Sequence, residues 1–281
     1  MGDLLNYAVK QMKKRNIPLS ILWGETRRYR NYGWEMAGSN MIFTITGKSI
    51  LGVNPEANLE MEGYRKKQHL DSIIEMREQN FFKIKRTTAE CEFLFNRPEL
   101  MIWIGCLGSE KAYLILLDNS VIEFGGSQKM LPQMLFQLFS DYTFSELRMY
   151  CPENDVSLIK QLYAASSIWQ SEPLGMLKII DLQQLLECFK PQLNKNLRDN
   201  PDLHGESVTL EMRDSRQIVT ISVNGEIEIF PEEKALQKIS LTDVEMVRML
   251  FPFAHYSENS IERKFAPLLK LPFFWNQLDM V

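Results

Sequence analysis

The sequence lacks any apolar run long enough to cross a bilayer, which takes roughly 18 residues. Its longest apolar runs, 101–105 and 113–117, have the length of strands. The opening residues also lack the basic and then apolar layout of a secretory signal peptide. We therefore expect a cytoplasmic protein with no membrane partner.

Cysteine and histidine are scarce, with four cysteines and three histidines among 281 residues. The cysteines are Cys91, Cys106, Cys151 and Cys188. They form no CxxC pair, so the pattern of a structural zinc site is missing and we expect no metal. Each lies among apolar residues, which favours a small buried side chain. His204 and His255 fall in loops without a serine, cysteine or acid at a diagnostic spacing, so we expect exposed histidines there.

The net charge of −4 hides an asymmetry along the chain. Residues 1–50 carry eight basic and three acidic side chains, a net charge of +5, which leaves −9 for the remainder. A basic segment favours a small polyanion, whereas the acidic remainder repels nucleic acid. We therefore expect no nucleic-acid partner.

The first region, residues 1–50, opens with apolar side chains at helical spacing. The predicted elements are a helix over 3–15, a strand over 19–23, a turn over 25–32 and a strand over 41–45. Residues 47–63 follow as a connection that contains Gly52 and Asn54-Pro55, which is typical of a domain boundary.

The second region runs from about residue 64 to 176 and alternates helical and strand patterns. The predicted helices cover 68–79, 87–96, 130–139 and 155–164, and the predicted strands cover 101–106, 112–117, 120–124 and 146–150. Asp118-Asn119 indicates a hairpin between two of these strands. In both regions a glycine precedes an amphipathic helix, and a short strand, a polar turn and a second short helix follow. This order indicates a duplicated unit.

The third region, residues 177–281, begins with Asp181 as the N-cap of a helix. Three alternating strands follow, over 208–212, 219–223 and 227–229. Asn224-Gly225 is the strongest hairpin signal in the chain. Ser240 is predicted to cap a later helix, and the chain ends in the apolar run 268–275. A meander with helices on one face predicts an α+β layer fold.

Three features of the sequence could carry chemistry, and each has a plain alternative. Gly2 opens a helix whose N-terminus could bind an anion, or it is a frayed end. Tyr29 lies among arginines and could act as a general acid, or it is a half-exposed tyrosine in a basic turn. The carboxylate of Val281 could act as a base beside a site, or it is simply exposed. Gly125-Gly126 stands where a phosphate loop would lie, but only one basic residue is near, and we interpret it as a remnant without a cofactor.

Two segments carry a resemblance to a known family: LWGETRRYRNYGWEMA at 22–37, with its YxxYGW turn, and the tail FFWNQLDMV. They resemble the enhanced intracellular survival (Eis) family of GCN5-related N-acetyltransferases. The resemblance implies an α+β fold of three domains. These would be the C-terminal part of a catalytic acetyltransferase domain (1–50), a degenerate second copy (51–176) and a sterol-carrier-protein-like domain (177–281).

What the resemblance implies chemically is transfer of an acetyl group from acetyl-CoA to an amine. The acceptor would be a small-molecule amine or a lysine-type amine. The proton-donating tyrosine of the family falls on Tyr29, and its general base, the terminal carboxylate, falls on Val281. Contacts to acetyl-CoA fall on Gly24 and Glu25, and the pyrophosphate loop ends at Gly2.

The segment at 22–37 comes earlier than this family places it, because a domain that ends there should begin roughly a hundred residues upstream. We therefore expect a chain truncated at its N-terminus, with an unpaired edge on the strand 19–23 and poor acetyl-CoA binding. The alternative function is a non-enzymatic module that binds an apolar ligand or plays a structural role. A homo-oligomer is expected in either case.

Overall fold

The computed structural model describes residues 2–53, 59–253 and 260–280, which form two compact units. Unit 1 contains the chain up to Ser39 together with Pro173–Pro272, and unit 2 contains Asn40–Glu172 together with the chain from Phe273 onward. This division follows contacts within the folded chain. The three domains inferred from the family resemblance, with boundaries near residues 50 and 176, stay a prediction.

The molecule is a mixed α/β protein. In chain order, the helices are α1 (Gly2–Lys14), α2 (Thr26–Arg30), α3 (Lys66–Glu78), α4 (Thr88–Phe95), α5 (Met130–Asp141), α6 (Val156–Ala165), α7 (Leu182–Cys188), α8 (Lys190–Asp199), α9 (Asp243–Leu250) and α10 (Ser260–Leu269). The strands are β1 (Leu19–Leu22), β2 (Glu35–Thr46), β3 (Glu60–Gly63), β4 (Leu100–Leu107), β5 (Glu110–Leu117), β6 (Ser120–Gly126), β7 (Glu146–Pro152), β8 (Ile168–Ile179), β9 (Ser207–Met212), β10 (Gln217–Asn224), β11 (Glu226–Phe230) and β12 (Lys238–Leu241).

Unit 2 is built on a sheet whose strands lie in the order β2-β7-β6-β5-β4-β3. Neighbouring strands are antiparallel except β6 and β7, which run parallel. The parallel register covers only Ser120 with Arg148 and Val121 with Met149, so these two strands separate after a short pairing. Helix α5 forms the crossover between them, as a parallel connection requires.

The hydrophobic core of unit 2 lies on both faces of this sheet because successive strand residues point to opposite sides. On β5, Leu114 packs into the cluster that contains helices α5 and α6, whereas Tyr113 and Ile115 pack into the cluster that contains α3 and α4. Leu278, from the last described segment of the chain, is fully buried in the second cluster. Leu278 is thus part of the core of unit 2.

Unit 1 contains a short antiparallel ladder and a second sheet. Strand β1 pairs with the Met176–Ile179 part of β8, and within the described chain no strand pairs with its other edge. The second sheet has the order β11-β10-β9-β12, with β12 parallel to β9. The predicted hairpin at Asn224-Gly225 is confirmed, and Gly225 has a φ of 86°.

Several expectations from the sequence are wrong in detail. The turn over 25–32 contains the short helix α2, and Ser240 lies in strand β12 instead of capping a helix. The cap of α9 is Thr242, whose side chain accepts a hydrogen bond from the Glu245 N–H. Cys188, the last residue of α7, is exposed and not buried. Elements β8, α8 and β12 were not expected at all.

The structure also describes the other three cysteines and one of the two loop histidines. Cys91 and Cys151 are buried, and burial raises the pKa of both thiols. Cys106 is partly buried, and His204 is exposed as expected. His255 lies outside the described residues. In the part of the chain that the structure describes, no helix has both the length and the apolar character needed to cross a membrane.

Candidate active site

Tyr29 lies in α2, a five-residue helix that directly follows the end of β1. Its ring packs against Gly24: a Cβ added to Gly24 would be 2.5 Å from Cε2 of the tyrosine. Gly24 also has a φ of 148°, which side chains rarely tolerate. A glycine at this position is therefore needed for both the backbone conformation and the close approach of the ring.

The phenol of Tyr29 is half-buried and makes no hydrogen bond within the described residues. Its backbone, in contrast, is well held, since its carbonyl accepts from the N–H groups of Tyr32 (2.9 Å) and Trp34 (3.2 Å). A tyrosine fixed through its main chain with an unengaged hydroxyl can donate a proton to a bound ligand. The local geometry is compatible with the role that the sequence assigns to Tyr29.

The turn that follows Tyr29 is locked by Gly33 and Trp34. Gly33 has a φ of 85°, and Trp34 is buried, with its indole N–H donating to Oγ of Ser20 at 3.3 Å. This bond ties the YxxYGW segment to strand β1. The position of Tyr29 is therefore determined by residues on both sides of it.

The arginines around Tyr29 are partly neutralised by glutamates. Arg30 donates to Oε1 of Glu35 at 2.7 Å, and Arg248 donates to Oε2 of the same carboxylate at 2.6 Å. Nη2 of Arg28 lies 4.0 Å from Oε2 of Glu25. Glu35 therefore holds α2 to α9, and its two arginines are not free cations for a bound anion.

Gly2 is the first described residue of α1, and the Tyr32 phenol lies beside it. A Cβ added to Gly2 would be 3.1 Å from Oη of Tyr32. The open N–H groups of this helix end and the phenol hydrogen are donors of the kind that phosphate oxygens accept. The structure thus brings Tyr32 to Gly2 and Tyr29 to Gly24, two contacts that join the predicted site residues to the YxxYGW turn.

Glu25, the other predicted acetyl-CoA contact, has an exposed side chain at the N-cap position of α2. Its side chain makes no capping hydrogen bond, although its carbonyl accepts from the N–H groups of Arg28 and Tyr29. The backbone of Glu25 therefore starts the helix that carries Tyr29.

Val281, the predicted base, lies outside the described residues. The segment just before it belongs to unit 2, where Phe274 packs edge-on against Phe82 with ring centroids 5.8 Å apart. Tyr29 belongs to unit 1. The pairing of Tyr29 with the carboxylate of Val281 stays a prediction.

A buried polar cluster in unit 2 was missed by the sequence reasoning. Glu123 on β6 is fully buried, accepts from the Tyr113 hydroxyl at 3.0 Å, and forms ion pairs with Arg77 (3.3 Å) and Arg86 (3.1 Å). Burial and the adjacent carboxylate raise the pKa of Tyr113 well above its usual range. The signal in the sequence is a glutamate inside the apolar strand 121–124. Because its oxygens are already engaged, we interpret this cluster as structural.

Gly125 and Gly126 lie in tightly packed surroundings. A Cβ on Gly125 would be 2.6 Å from the Tyr113 ring and 2.9 Å from Asn80, and one on Gly126 would be 2.8 Å from the sulfur of Met76. Protein atoms occupy the space that a phosphate would need beside these glycines. Across the described ranges, no group of three His, Cys, Asp or Glu residues could hold a metal ion.

No protein-family model matches this sequence, and a search of the curated proteins finds no significant relative. Solved structures do match the fold. A conserved protein of Enterococcus faecalis V583, described as a probable N-acyltransferase, superposes with a TM-score of 0.69 at 16% identity, over 97% of this chain and 75% of that one.

Two further solved structures are similar to this chain in fold. A GCN5-related N-acetyltransferase from Anabaena variabilis ATCC 29413 gives a TM-score of 0.67 at 14% identity, over 97% of this chain and 76% of its own. Eis1 from Mycobacterium abscessus gives a TM-score of 0.58 at 11% identity, over 97% of this chain and 77% of its own. At these identities the likeness concerns the fold, and it extends over nearly the whole of this chain.

Proposed function

We propose that this chain is an Eis-like N-acetyltransferase polypeptide that transfers the acetyl group of acetyl-CoA to an amine. The acceptor would be a small-molecule amine or a lysine-type amine. The observation that carries the proposal is Tyr29: a half-buried phenol without a hydrogen-bond partner in the described chain, held against Gly24 just after a strand. The likeness in fold to a probable N-acyltransferase and to a GCN5-related N-acetyltransferase, each over 97% of this chain, supports the same chemistry.

In the proposed reaction the neutral amine attacks the carbonyl carbon of the thioester directly. The C–N bond forms, the C–S bond breaks, and the electron pair leaves with sulfur. Tyr29 donates its proton to the departing thiolate, and the carboxylate of Val281 takes the proton that the amine loses. The residues therefore act as a general acid and a general base, and no covalent enzyme intermediate is needed.

Acetyl-CoA is expected to contact Gly2, Gly24 and Glu25. The N-terminal turn of α1 offers free N–H groups and the positive end of the helix dipole to the pyrophosphate. Tyr32, beside Gly2, adds a hydroxyl donor. These residues could contact only part of the cosubstrate. We therefore expect this chain alone to bind acetyl-CoA more weakly than micromolar, as measured by isothermal titration.

Replacing Tyr29 with phenylalanine tests the role of the phenol. The change keeps the ring against Gly24 and removes the donor, so turnover should fall by roughly 10²-fold or more. The measurement is release of CoA thiol from acetyl-CoA with a panel of amines.

Tyr142→Phe is the matched control for this experiment. Tyr142 is a partly exposed tyrosine of unit 2 whose ring packs against Trp103, so its hydroxyl should not affect turnover. If Tyr29→Phe retains the turnover of the Tyr142→Phe control, Tyr29 is not the proton donor and the proposal loses its main support.

A further inference from the structure

Helix α4 of unit 2 carries apolar side chains on two sides, and the described chain covers only one of them. Cys91 and Phe95 are buried in the core of unit 2. Ala89 and Phe93, which are four residues apart and therefore share another side of the helix, are exposed, and Phe93 is 76% exposed. A helix that is apolar all round is normally buried all round. We therefore expect something to cover the outer side of α4.

The loop before α4 turns this outer side into a groove. The groove has a volume of about 440 Å³ and is lined by the loop residues 84–86 and by Ala89, Glu90, Phe93 and Leu94 of the helix. Its lining is mostly apolar. Small-molecule sites typically have volumes of about 300–1,000 Å³ and combine apolar walls with a few polar groups. The α4 groove has the size and character of such a site.

The loop wall of the α4 groove is held in place by the buried Glu123 cluster. Nη1 of Arg86 lies 3.1 Å from Oε2 of Glu123. Two residues earlier, the carbonyl of Ile84 accepts a hydrogen bond from the guanidinium of Arg77, the other arginine of the same carboxylate. These bonds form without a ligand. The groove is therefore preformed, and a ligand would not have to order the loop when it binds.

The charges of the α4 groove favour an anion. Lys85 is exposed, and it makes no hydrogen bond or ion pair with any other part of the chain that the structure describes. The acidic residue of the lining is Glu90, whose Oε2 accepts from the N–H (2.6 Å) and the hydroxyl (2.8 Å) of Thr87 at the start of α4. Behind the loop, two arginines surround the single carboxylate of Glu123. Lys85 is thus an available cation at a groove with an excess of positive charge.

We propose that the α4 groove binds an aliphatic carboxylate, whose chain lies along Ile84, Ala89 and Phe93. Its carboxylate group pairs with the ammonium group of Lys85. A strongly polar ligand is disfavoured, because apolar walls offer no hydrogen bonds to replace those with water. An aliphatic cation is disfavoured by the positive charge. The groove is built by residues of unit 2, and its ligand binding does not depend on acetyl transfer at Tyr29.

Isothermal titration of the full chain with decanoate at neutral pH tests the proposal. Decyltrimethylammonium is the matched control ligand, because it has the same chain and the opposite charge. We expect saturable binding of one decanoate per chain and binding of the cation that is several-fold weaker. Absence of decanoate binding, or equal affinities for the two ligands, overturns the proposal.

Two substitutions locate the bound acid. Lys85→Gln should weaken decanoate binding by about 2- to 5-fold, as loss of an exposed ion pair does. Phe93→Ala should weaken it by roughly 10-fold, because the ligand loses an apolar wall. Both side chains are exposed, so neither change should affect folding. Lys160→Gln and Val156→Ala, at exposed positions of α6, are the matched controls and should leave the affinity unchanged. Wild-type affinity in both Lys85→Gln and Phe93→Ala would place the acid elsewhere and overturn the assignment.

Glu90→Gln tests the sign of the charge that the groove prefers. Glutamine can keep the capping contact with Thr87 while it removes a negative charge from the lining. Decanoate should therefore bind about 2-fold more tightly, and decyltrimethylammonium should bind more weakly. Weaker binding of decanoate to this variant contradicts the proposed charge preference.

Other occupants of the α4 groove would give different results. If the chain forms a dimer that Phe93→Ala dissociates in sedimentation, and decanoate does not bind, the groove is a contact between copies and the proposal is wrong. It is equally wrong if the chain binds vesicles of phosphatidylcholine and phosphatidylglycerol but not decanoate. Failure of the proposed acetyltransferase function shows separately, as absent turnover with amines, and leaves decanoate binding intact.

Discussion

Two buried glutamates illustrate how surroundings determine the energetic role of a single residue. Glu123 and Glu35 are 0% and 1% exposed, and each is bound by two arginines. The arginines of Glu123 are themselves only 2% and 4% exposed, whereas those of Glu35 are 47% and 40% exposed. Removing the carboxylate of Glu123 would leave two buried arginines without a counter-charge. Removing the carboxylate of Glu35 would leave two partly exposed arginines that water can solvate.

We predict that Glu123→Gln lowers the free energy of unfolding of unit 2 by about 3–5 kcal/mol, because it leaves uncompensated buried charge. Glu35→Gln should cost unit 1 about 1 kcal/mol, since its exposed arginines regain hydration. Both losses of unfolding free energy are measured by urea unfolding, with hydrogen exchange used to monitor each unit separately. Equal losses for the two variants would show that arginine exposure does not control the cost.

At the scale of single residues, the sequence indicates candidate site residues but not their contacts. Tyr29 and Gly24 are both identified from the segment 22–37, but their packing depends on a φ of 148° that no pattern encodes. The burial of Glu123 is equally hidden, because its arginine partners come from α3 and the loop before α4. Contacts between residues distant in sequence are what local reasoning cannot supply.

At the scale of elements, helix α9 has a well defined start. Thr242 and Glu245 form a capping box: the Glu245 N–H donates to Oγ1 of Thr242 at 3.3 Å, and the Thr242 N–H donates to the glutamate at 2.8 Å. The hydrogen bonds from the Thr242 backbone and then from its side chain lower the pKa of Glu245 from its ordinary value of 4.5. The folded state therefore favours the ionised carboxylate.

We predict that Thr242→Ala lowers stability by about 1 kcal/mol at pH 7, as loss of an N-cap generally does. Because the pKa of Glu245 is lower in the folded state, its contribution is present above pH 4.5 and is lost as the pH falls through the folded value. The difference between variant and wild type should therefore narrow in acid. Hydrogen exchange of the α9 amides between pH 3 and pH 7 reports it.

Ser240→Ala is the matched control, since Ser240 is a hydroxyl residue two positions away that lies in β12 and donates to Glu211. Its replacement should leave the α9 amides unchanged. If the difference in α9 amide exchange between Thr242→Ala and wild type does not depend on pH, the carboxylate of Glu245 plays no part in the cap.

Elements with strong local patterns were predictable, and those that depend on distant pairing were not. The amphipathic helices α1, α5 and α6 and the hairpin strands β5 and β6 lie where the sequence puts them. Strand β8 was missed because Pro173 and Gly175 interrupt its pattern, and β12 because four residues pair in parallel with β9. The Thr242 cap was visible as a T-x-x-E signature and could have been preferred over Ser240.

For the whole molecule, the informative feature is that Leu278, far along the chain from β5 and β6, packs in the core of unit 2. Leu278 is fully buried in the cluster that contains Tyr113, Ile115 and Ile122. We predict that Leu278→Ala lowers the stability of unit 2 by about 2–5 kcal/mol, the range for emptying a buried leucine site. Hydrogen exchange of the β5 and β6 amides should accelerate accordingly.

Leu236→Ala is the control for this prediction, because Leu236 is fully exposed and its removal should change stability by less than about 0.5 kcal/mol. If both leucine variants leave the exchange of β5 and β6 unchanged, Leu278 is not part of the core that stabilises these strands.

The position of Leu278 has a consequence for how the protein is made. Strands β4, β5 and β6 leave the ribosome long before residues 273–280 do, because the whole of Pro173–Pro272 is translated in between. Until that last segment arrives, the cluster around Tyr113 lacks one of its fully buried side chains. Unit 2 must therefore wait, with part of its apolar surface uncovered, until residues 273–280 have been translated, a period in which chaperones can bind it.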